Sequence, residues 1–140
     1  KDSWGATATA MVADGADVIF LTTTGSDSEV LNAIVSANKI GANAGLIVVE
    51  PDQYVTLAYG TKKYILASVM KRVDKAIVDF ISESVSGGSV GDVLDPKLGI
   101  YGRLYGIQNG GIEISLWSPG LAKYRKSIYL AALKAGKFSK

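Results

Sequence analysis

Apolar positions in the first third of the chain form two continuous runs with a helix-spaced cluster between them. The runs over residues 16–21 and 46–49 are rich in β-branched side chains, which is typical of strands buried in a parallel sheet. Between the runs, apolar side chains recur at helical spacing, which predicts a helix that begins after Ser26 and stops at Gly41. A further helix is predicted over residues 5–14. Together these elements predict a strand–helix–strand unit with parallel strands and a right-handed connection.

The rest of the chain continues this mixture of strands and helices, so the sequence predicts an α/β fold. Apolar side chains recur at helical spacing before Gly87 and alternate with small or polar ones after it. The predicted elements before this point are a polar aromatic connection over 54–63, a short strand over 64–67 and a helix over 68–86. Those after it are strands over 98–104 and 112–117, a Gly110–Gly111 turn between them, and a final helix over 121–133 that Pro119 precedes.

Residue types that the chain lacks exclude several classes of site. Its 140 residues include no cysteine and no histidine. A Ser-His-Asp triad, a thiol nucleophile, a disulfide and a zinc-finger cage are therefore excluded, and a metal site would need oxygen ligands alone. Catalysis would have to rest on carboxylates, Lys, Tyr or Ser, and no nucleophile–base pair stands out. We therefore expect no enzyme activity, no metal and no cofactor.

The length suits one domain with its own hydrophobic core but not two. No apolar run reaches the roughly 20 residues that a bilayer span requires. The chain begins at Lys1 rather than at a methionine, and no signal segment precedes the first predicted helix. We therefore expect a processed product or a piece of a longer protein.

Charge is unevenly distributed, although the formal net charge is only +2. After Glu113 the chain carries six basic residues and no acidic one. A basic terminal helix could contact phosphates or an anionic membrane surface. The helix dipole also favours cations near a helix C-terminus, and no interleaved aromatic or glycine pattern supports nucleic-acid recognition. We expect a solvated helix face and no nucleic-acid partner.

Polar side chains follow both predicted parallel strands at their carboxyl ends, where open α/β sheets bind ligands. The first strand is followed by a turn with Thr24 and Gly25, which could receive an anion or polar oxygens at a helix N-terminus. The second is followed by Glu50 and Asp52, paired acceptors that suit the vicinal hydroxyls of a sugar or ribose. An ordinary capped turn and a solvated acidic turn are the alternatives at these two places.

A pair of cations, Lys71 and Arg72, is predicted to lie near the start of the long helix. Cations there oppose the helix dipole, so another interaction is expected to hold them. A polar ligand would do so, and so would an ion pair with Asp74 or Asp79.

Four short motifs resemble those of the basic membrane protein family, the substrate-binding lipoproteins of ABC importers that include the purine-nucleoside-binding type. They are GADVIF at 15–20 with the turn at Gly25, VEPDQ at 49–53, SVMKRVD at 68–74 and LYGIQNGGI at 104–112. The family has the type I periplasmic-binding-protein fold, in which two α/β lobes of Rossmann- or flavodoxin-like layers close on a ligand. The resemblance therefore implies a solute-binding function without catalysis.

Individual residues take their expected roles from this resemblance. It implies that Glu50 stands where the family uses an Asp to hold ribose hydroxyls, that Lys71 contacts the ligand, and that Gly25 lines the cleft. The chain departs from the family at its Gly-rich turn and in the longer side chain of Glu50. These departures leave a simple sugar or another nucleoside-like solute open beside a nucleoside.

The resemblance covers only the C-terminal half of the two-lobed family fold. It implies a division into residues 1–55, a strand–helix–strand unit; 56–97, a strand and helix that belong to the other lobe; and 98–140, return strands and the basic helix. The apolar face of the helix in the middle segment would lack its sheet unless the segment repacks or pairs with another chain.

The resemblance also implies a cellular setting for the full-length protein. The expected partner is an ABC permease, and an anchor upstream of Lys1 is the only expected link to a membrane. The expected location is extracytoplasmic, in the periplasm or at the cell surface. Other readings remain open: a free-standing flavodoxin-like module that binds a small ligand or a protein, then an enzyme, then a nucleic-acid binder.

Overall fold

A computed structural model describes residues 3–23, 27–88, 92–95, 97, 99–116 and 118–135. The chain divides into two compact units, each made of two stretches of sequence. The first unit comprises Lys1–Met70 and Ile114–Tyr129, and the second Lys71–Glu113 and Leu130–Lys140.

Helices and strands alternate along most of the chain, which confirms the predicted α/β class. The α-helices are α1 Trp4–Ala13, α2 Asp27–Lys39, α3 Gln53–Thr56, α4 Tyr59–Lys62, α5 Val73–Ser86 and α6 Arg125–Ala135. The strands are β1 Val18–Leu21, β2 Gly45–Val49, β3 Ile65–Lys71, β4 Asp92–Asp95, β5 Ile100–Gly102 and β6 Ile112–Ser115. Two 3₁₀-helices cover Ile107–Asn109 and Pro119–Tyr124.

The main sheet is open and mostly parallel, with the strand order β1-β2-β3-β6. The predicted parallel pairing of the first two strands is confirmed, since Val18 lies opposite Gly45 and Leu21 opposite Val48. Strand β3 also runs parallel to β2, with Val49 opposite Val69. Strands β4 and β5 form a separate antiparallel pair.

The hydrophobic core lies in the first unit, where α2 covers one face of the sheet. Ile34 of α2 and Leu46 and Val48 of β2 are fully buried. The apolar side chains of α2 recur every three or four residues, so they share the helix face that packs on the strands. The predicted ends of both helices before and after β1 are confirmed, because Gly15 and Gly41 adopt the left-handed backbone that ends a helix.

The boundary between the predicted short strand and long helix was wrong. Residues 65–71 are all strand, and α5 begins only at Val73. Val69 has helical spacing from Val73 but also fits a strand, and pairing with β2 decides between them. The Val69 carbonyl accepts from the Glu50 amide at 3.1 Å, and the Tyr64 carbonyl accepts from the Leu46 amide at 2.8 Å.

The prediction that β1 is buried on both faces was also wrong. Ile19 and Leu21 are buried, but Val18 and Phe20 on the other face are about half exposed. Exposed and buried residues alternate along β1, so this edge strand is covered on only one of its faces. Trp4 of α1 is also 51% exposed.

Several shorter elements differ from their predicted bounds. The connection over 54–63 contains the one-turn helices α3 and α4, and the terminal helix begins as a 3₁₀ turn at Pro119 before α6. Of the strand predicted over 98–104, the described residues 99–104 form only β5, and residue 98 lies outside the described residues. Strand β4 was not predicted. The strand predicted over 112–117 forms the edge strand β6 over Ile112–Ser115, and residue 117 lies outside the described residues.

Ion pairs, rather than buried apolar side chains, connect the segments of the second unit. Arg72 pairs with Glu113 across 41 residues of sequence, and Arg103 pairs with Glu83 of α5. None of the large apolar side chains whose exposure is described in this unit is buried. These ion pairs therefore join parts of the second unit that are distant in sequence.

Within the described part of the chain, we find no helix that is both long enough and apolar enough to cross a membrane.

Candidate functional site

The carboxyl end of β2 leads directly into the first group of candidate residues. Glu50 follows the strand with a backbone φ of 28°, in the left-handed region that non-glycine residues rarely adopt. Its amide still donates to the Val69 carbonyl of β3, so the chain turns only after the sheet pairing ends. The Glu50–Pro51 peptide bond is cis. Glu50 is half-buried at this turn.

Asp52 connects this turn to two other elements of the first unit. One of its carboxylate oxygens accepts from the Tyr54 amide at 3.2 Å, so Asp52 is the N-cap of α3. The other accepts from the Ser115 hydroxyl at the end of β6, at 2.7 Å. Asp52 is thus both a candidate ligand acceptor and a structural residue, which the sequence does not indicate.

A buried polar cluster surrounds Asp52, and we call Asp52, Gln53, Ser68 and Ser115 the carboxyl-edge cluster. The Ser68 hydroxyl, on β3, accepts from the Gln53 amide at 3.3 Å. Ser68 is fully buried, while Gln53 and Ser115 are 4% and 7% exposed. Buried polar groups are costly unless they are hydrogen-bonded, so this cluster fixes the loop against the sheet.

Sequence reasoning missed Ser68 and Ser115 because each lay inside a predicted regular element. A signal was available in both cases. A serine among apolar neighbours on the inward face of a strand must be satisfied inside the protein.

The turn after β1 is only partly described. Thr24 and Gly25, both candidate ligand residues, and the predicted helix cap at Ser26 lie outside the described residues. Thr23, which precedes them, has a buried hydroxyl oxygen with no hydrogen-bond partner among the described residues. A polar group is therefore present at the carboxyl end of β1 as well as β2.

Arg72 and Lys71 have different surroundings, although the sequence treats them as a pair. Arg72 donates to Asp74 at 2.6 Å and to Glu113 at 2.5 Å, which confirms the ion-pair alternative for this residue. Hydrogen bonds to Asp74 and then Glu113 raise the pKa of Arg72, and the Arg72 hydrogen bond lowers the pKa of Asp74 to about 2. Lys71 is the exposed last residue of β3 and the first residue of the second unit, whereas Glu50 belongs to the first.

Two lysines that lie close in sequence to the carboxyl-edge cluster contact tyrosine rings. The Lys62 ammonium lies 5.1 Å from the ring centre of Tyr54 and 5.3 Å from that of Tyr59. The Lys63 ammonium lies 4.9 Å from the Tyr64 ring centre. Such cation–π contacts hold the lysine side chains along the aromatic connection between β2 and β3.

A cavity of about 390 Å³ opens at the opposite, amino edge of the sheet in the first unit. Its polar lining comes from Asp17, Asn43, Lys63 and Tyr64. This cavity does not include the residues predicted to bind a ligand. Because parallel α/β sheets bind ligands at the carboxyl ends of their strands, we place the candidate site at the carboxyl edge.

No protein-family model matches the chain, and the comparison with curated proteins also finds no match. The geometry of the carboxyl edge and the motifs described above are therefore the basis for assigning a function.

Proposed function

We propose that this chain is the solute-binding half of the substrate-binding component of an ABC importer. It would bind a nucleoside or a related small polar solute without transforming it. The observation that carries the proposal is the carboxyl-edge cluster, where buried polar groups meet beside the end of β2. A site of this kind can orient a polar ligand through a few convergent hydrogen bonds.

The chemistry of the site supports a ligand rich in hydroxyl groups. Glu50 and Asp52 place two carboxylates at the same turn, and ionised carboxylates accept hydrogen bonds only. The vicinal hydroxyls of ribose supply two adjacent donors. Charge-assisted hydrogen bonds of this type are about twice as strong as neutral ones, which suits recognition of an uncharged sugar.

The remaining assignments rest on the family resemblance. In this proposal Lys71 contacts the ligand, and Thr24 and Gly25 line the turn after β1. The full-length protein would deliver its solute to a permease, be held to a membrane by an upstream anchor and act outside the cytoplasm. No metal or cofactor takes part.

Calorimetric titration of the chain with inosine, adenosine, uridine and ribose tests the proposal. We expect saturable binding of at least one of them, with the solute recovered unchanged by chromatography. Glu50→Gln and Lys71→Ala should each weaken binding about 5- to 150-fold, which corresponds to about 1–3 kcal/mol for a lost buried polar partner. Lys63→Ala and Asp17→Asn, at the amino edge, are matched controls and should leave binding unchanged.

Three results would overturn the proposal. The first is that none of the four solutes binds saturably up to about 1 mM. The second is that a bound solute is chemically converted. The third is that the Lys63 and Asp17 variants weaken binding whereas the Glu50 and Lys71 variants do not. The third result would move the site to the cavity at the amino edge.

A second candidate is the free-standing flavodoxin-like module that binds a protein partner. The exposed apolar residues of α5 favour it, because large apolar patches mark interaction surfaces. Failure of all four titrations together with specific self-association or capture through α5 would favour this module over the importer component.

A further inference from the structure

The cavity at the amino edge of the sheet lies among the loops that lead into three neighbouring strands of the first unit. Asp17 immediately precedes β1, Asn43 lies shortly before β2, and Lys63 and Tyr64 precede β3. The volume of about 390 Å³ falls at the lower end of the range for ligand-binding cavities. A cavity of this size therefore suits a small molecule.

Backbone hydrogen bonds fix these loops relative to one another. The Asp17 carbonyl accepts from the Gly45 amide at 2.8 Å, and the Tyr64 carbonyl accepts from the Leu46 amide at 2.8 Å. The sheet thus holds the walls of the cavity in place, which lowers the free-energy cost of ordering them around a ligand.

Apolar and buried groups line the base of the cavity. Ala44 is 6% exposed, and the Asn38 side chain donates to its carbonyl at 2.9 Å. Leu66 packs directly on Gly45, since a Cβ at position 45 would lie 2.6 Å from the Leu66 Cγ. Val18 also lines the cavity and is about half exposed. These groups offer a surface for the apolar part of a ligand.

Three exposed side chains around this base carry the groups that can select a ligand. Within the described part of the chain, the side chains of Asp17 and Asn43 make no hydrogen bond, and the Lys63 ammonium makes no ion pair. The Lys63 ammonium lies 4.9 Å from the centre of the Tyr64 ring, a contact that leaves its N–H groups able to donate. A negative and a positive group therefore line one cavity without neutralising each other.

A ligand that satisfies both of these groups must itself carry one charge of each sign. Its anionic group would accept from Lys63, and its cationic group would donate to Asp17. A ligand with anionic groups alone would meet Asp17 with like charge, and a simple cation would meet Lys63 in the same way. The lining therefore favours a zwitterion over either kind of ion.

We propose that the amino-edge cavity binds a small zwitterion, namely an α-amino acid with an apolar side chain. Its carboxylate contacts Lys63 and its ammonium group contacts Asp17. Its side chain packs against Tyr64 and Leu66. The site is separate from the carboxyl edge, so this inference does not depend on the proposed function.

Calorimetric titration of the chain with L-phenylalanine and L-methionine tests the proposal. Two analogues of L-phenylalanine each lack one charge: 2-phenylethylamine has no carboxylate, and 3-phenylpropanoate has no ammonium group. We expect saturable binding of the amino acids and at least about tenfold weaker binding of each analogue, since each leaves one charged partner unsatisfied. This comparison uses the natural chain and needs no variant.

Two variants assign the charges to residues. Lys63→Gln should remove the difference in affinity between L-phenylalanine and 2-phenylethylamine, because the carboxylate has lost its partner. Asp17→Asn should remove the difference between L-phenylalanine and 3-phenylpropanoate for the corresponding reason. Lys62→Gln and Asp14→Asn make the same chemical changes outside the cavity lining and should leave both differences as they are. Circular dichroism of the four variants verifies that the fold is retained.

A lack of saturable binding of both amino acids up to about 10 mM would overturn the proposal. Equal affinity for L-phenylalanine and its two analogues would also overturn it, as would control variants that weaken binding as much as the Lys63 and Asp17 variants. Amino-acid binding that Glu50→Gln weakens would place the ligand at the carboxyl edge and so contradict the proposed site. None of these results decides nucleoside binding, which is read from separate titrations with the Glu50 and Lys71 variants.

Discussion

The Ser115 hydroxyl donates to the Asp52 carboxylate at 2.7 Å, joining the last residue of β6 to the cap of α3 across 63 residues of sequence. Ser115 is 7% exposed, so water cannot readily replace this bond. The contact attaches the loop after β2 to the edge strand of the sheet.

Ser115→Ala should lower the free energy of unfolding of the chain. The variant leaves one Asp52 oxygen without its buried donor, a loss of about 1–3 kcal/mol. Urea unfolding followed by circular dichroism measures it. Ser127→Ala, at an exposed position of α6, is the control and should change stability by less than about 0.5 kcal/mol. Equal stability of the two variants would show that the bond contributes nothing.

Ile34→Ala should destabilise the protein by about 2–5 kcal/mol, because it removes a fully buried side chain of α2 and leaves a cavity against the sheet. Ile40→Ala makes the same chemical change just beyond the helix, where the side chain is 89% exposed. The difference between their urea midpoints isolates the contribution of burial. A difference below about 1 kcal/mol would contradict the assigned core.

Gly111→Ala should disrupt the turn before β6. A Cβ at position 111 would overlap the side chain and backbone of Tyr105, and the Gly111 carbonyl accepts from the Arg72 amide at 2.8 Å. Overpacking of this kind costs about 1–3 kcal/mol. Gly106→Ala is the control, since its backbone is extended and open space surrounds it. Thermal unfolding of both variants should show a clear loss only for position 111.

The ion pair between Arg72 and Asp74 should make the second unit sensitive to acid. The Arg72 hydrogen bond lowers the pKa of Asp74 from 3.8 in the unfolded chain to about 2 in the folded one. A depressed carboxyl pKa contributes stability above the unfolded value, and that contribution is lost as the pH falls through the folded value. Stability should therefore decline between about pH 4 and about pH 2.

Asp74→Asn removes the titrating group and should flatten this part of the stability profile, measured by thermal unfolding between pH 2 and pH 6. Asp17→Asn, at an exposed acid outside the second unit, is the control and should retain the wild-type slope. Identical slopes in both variants would mean that other acidic groups cause the decline.

The spacing of apolar residues predicted the elements whose structure depends mainly on residues close in sequence. Val30, Leu31 and Ile34 recur at the spacing of one helix face, which predicts a helix with a buried side, and all three are in the core. Val69 is different, because it fits the helix predicted over 68–86, with Val73 one turn later, and a strand beside Val49 equally well. Only the position of β2 decides between them, and a single sequence window does not contain that information.

The candidate site could be predicted only in part for the same reason. The apolar run over 46–49 ends just before Glu50 and Asp52, so the sequence alone predicts that both residues follow the carboxyl end of a strand. One donor to Asp52 is Ser115, and one partner of Arg72 is Glu113, and both are distant in sequence. Such contacts depend on how strands from different parts of the chain are arranged.

The arrangement of the two units along the sequence also determines what proteolysis and truncation of this chain can separate. Because each unit is assembled from two stretches, the chain passes from one to the other three times, after Met70, Glu113 and Tyr129. A protease that cuts at one of these points leaves two covalent links in place, and no single contiguous fragment consists of one complete unit alone. Truncation therefore cannot isolate one complete unit without also keeping part of the other, whereas point variants can perturb each unit separately.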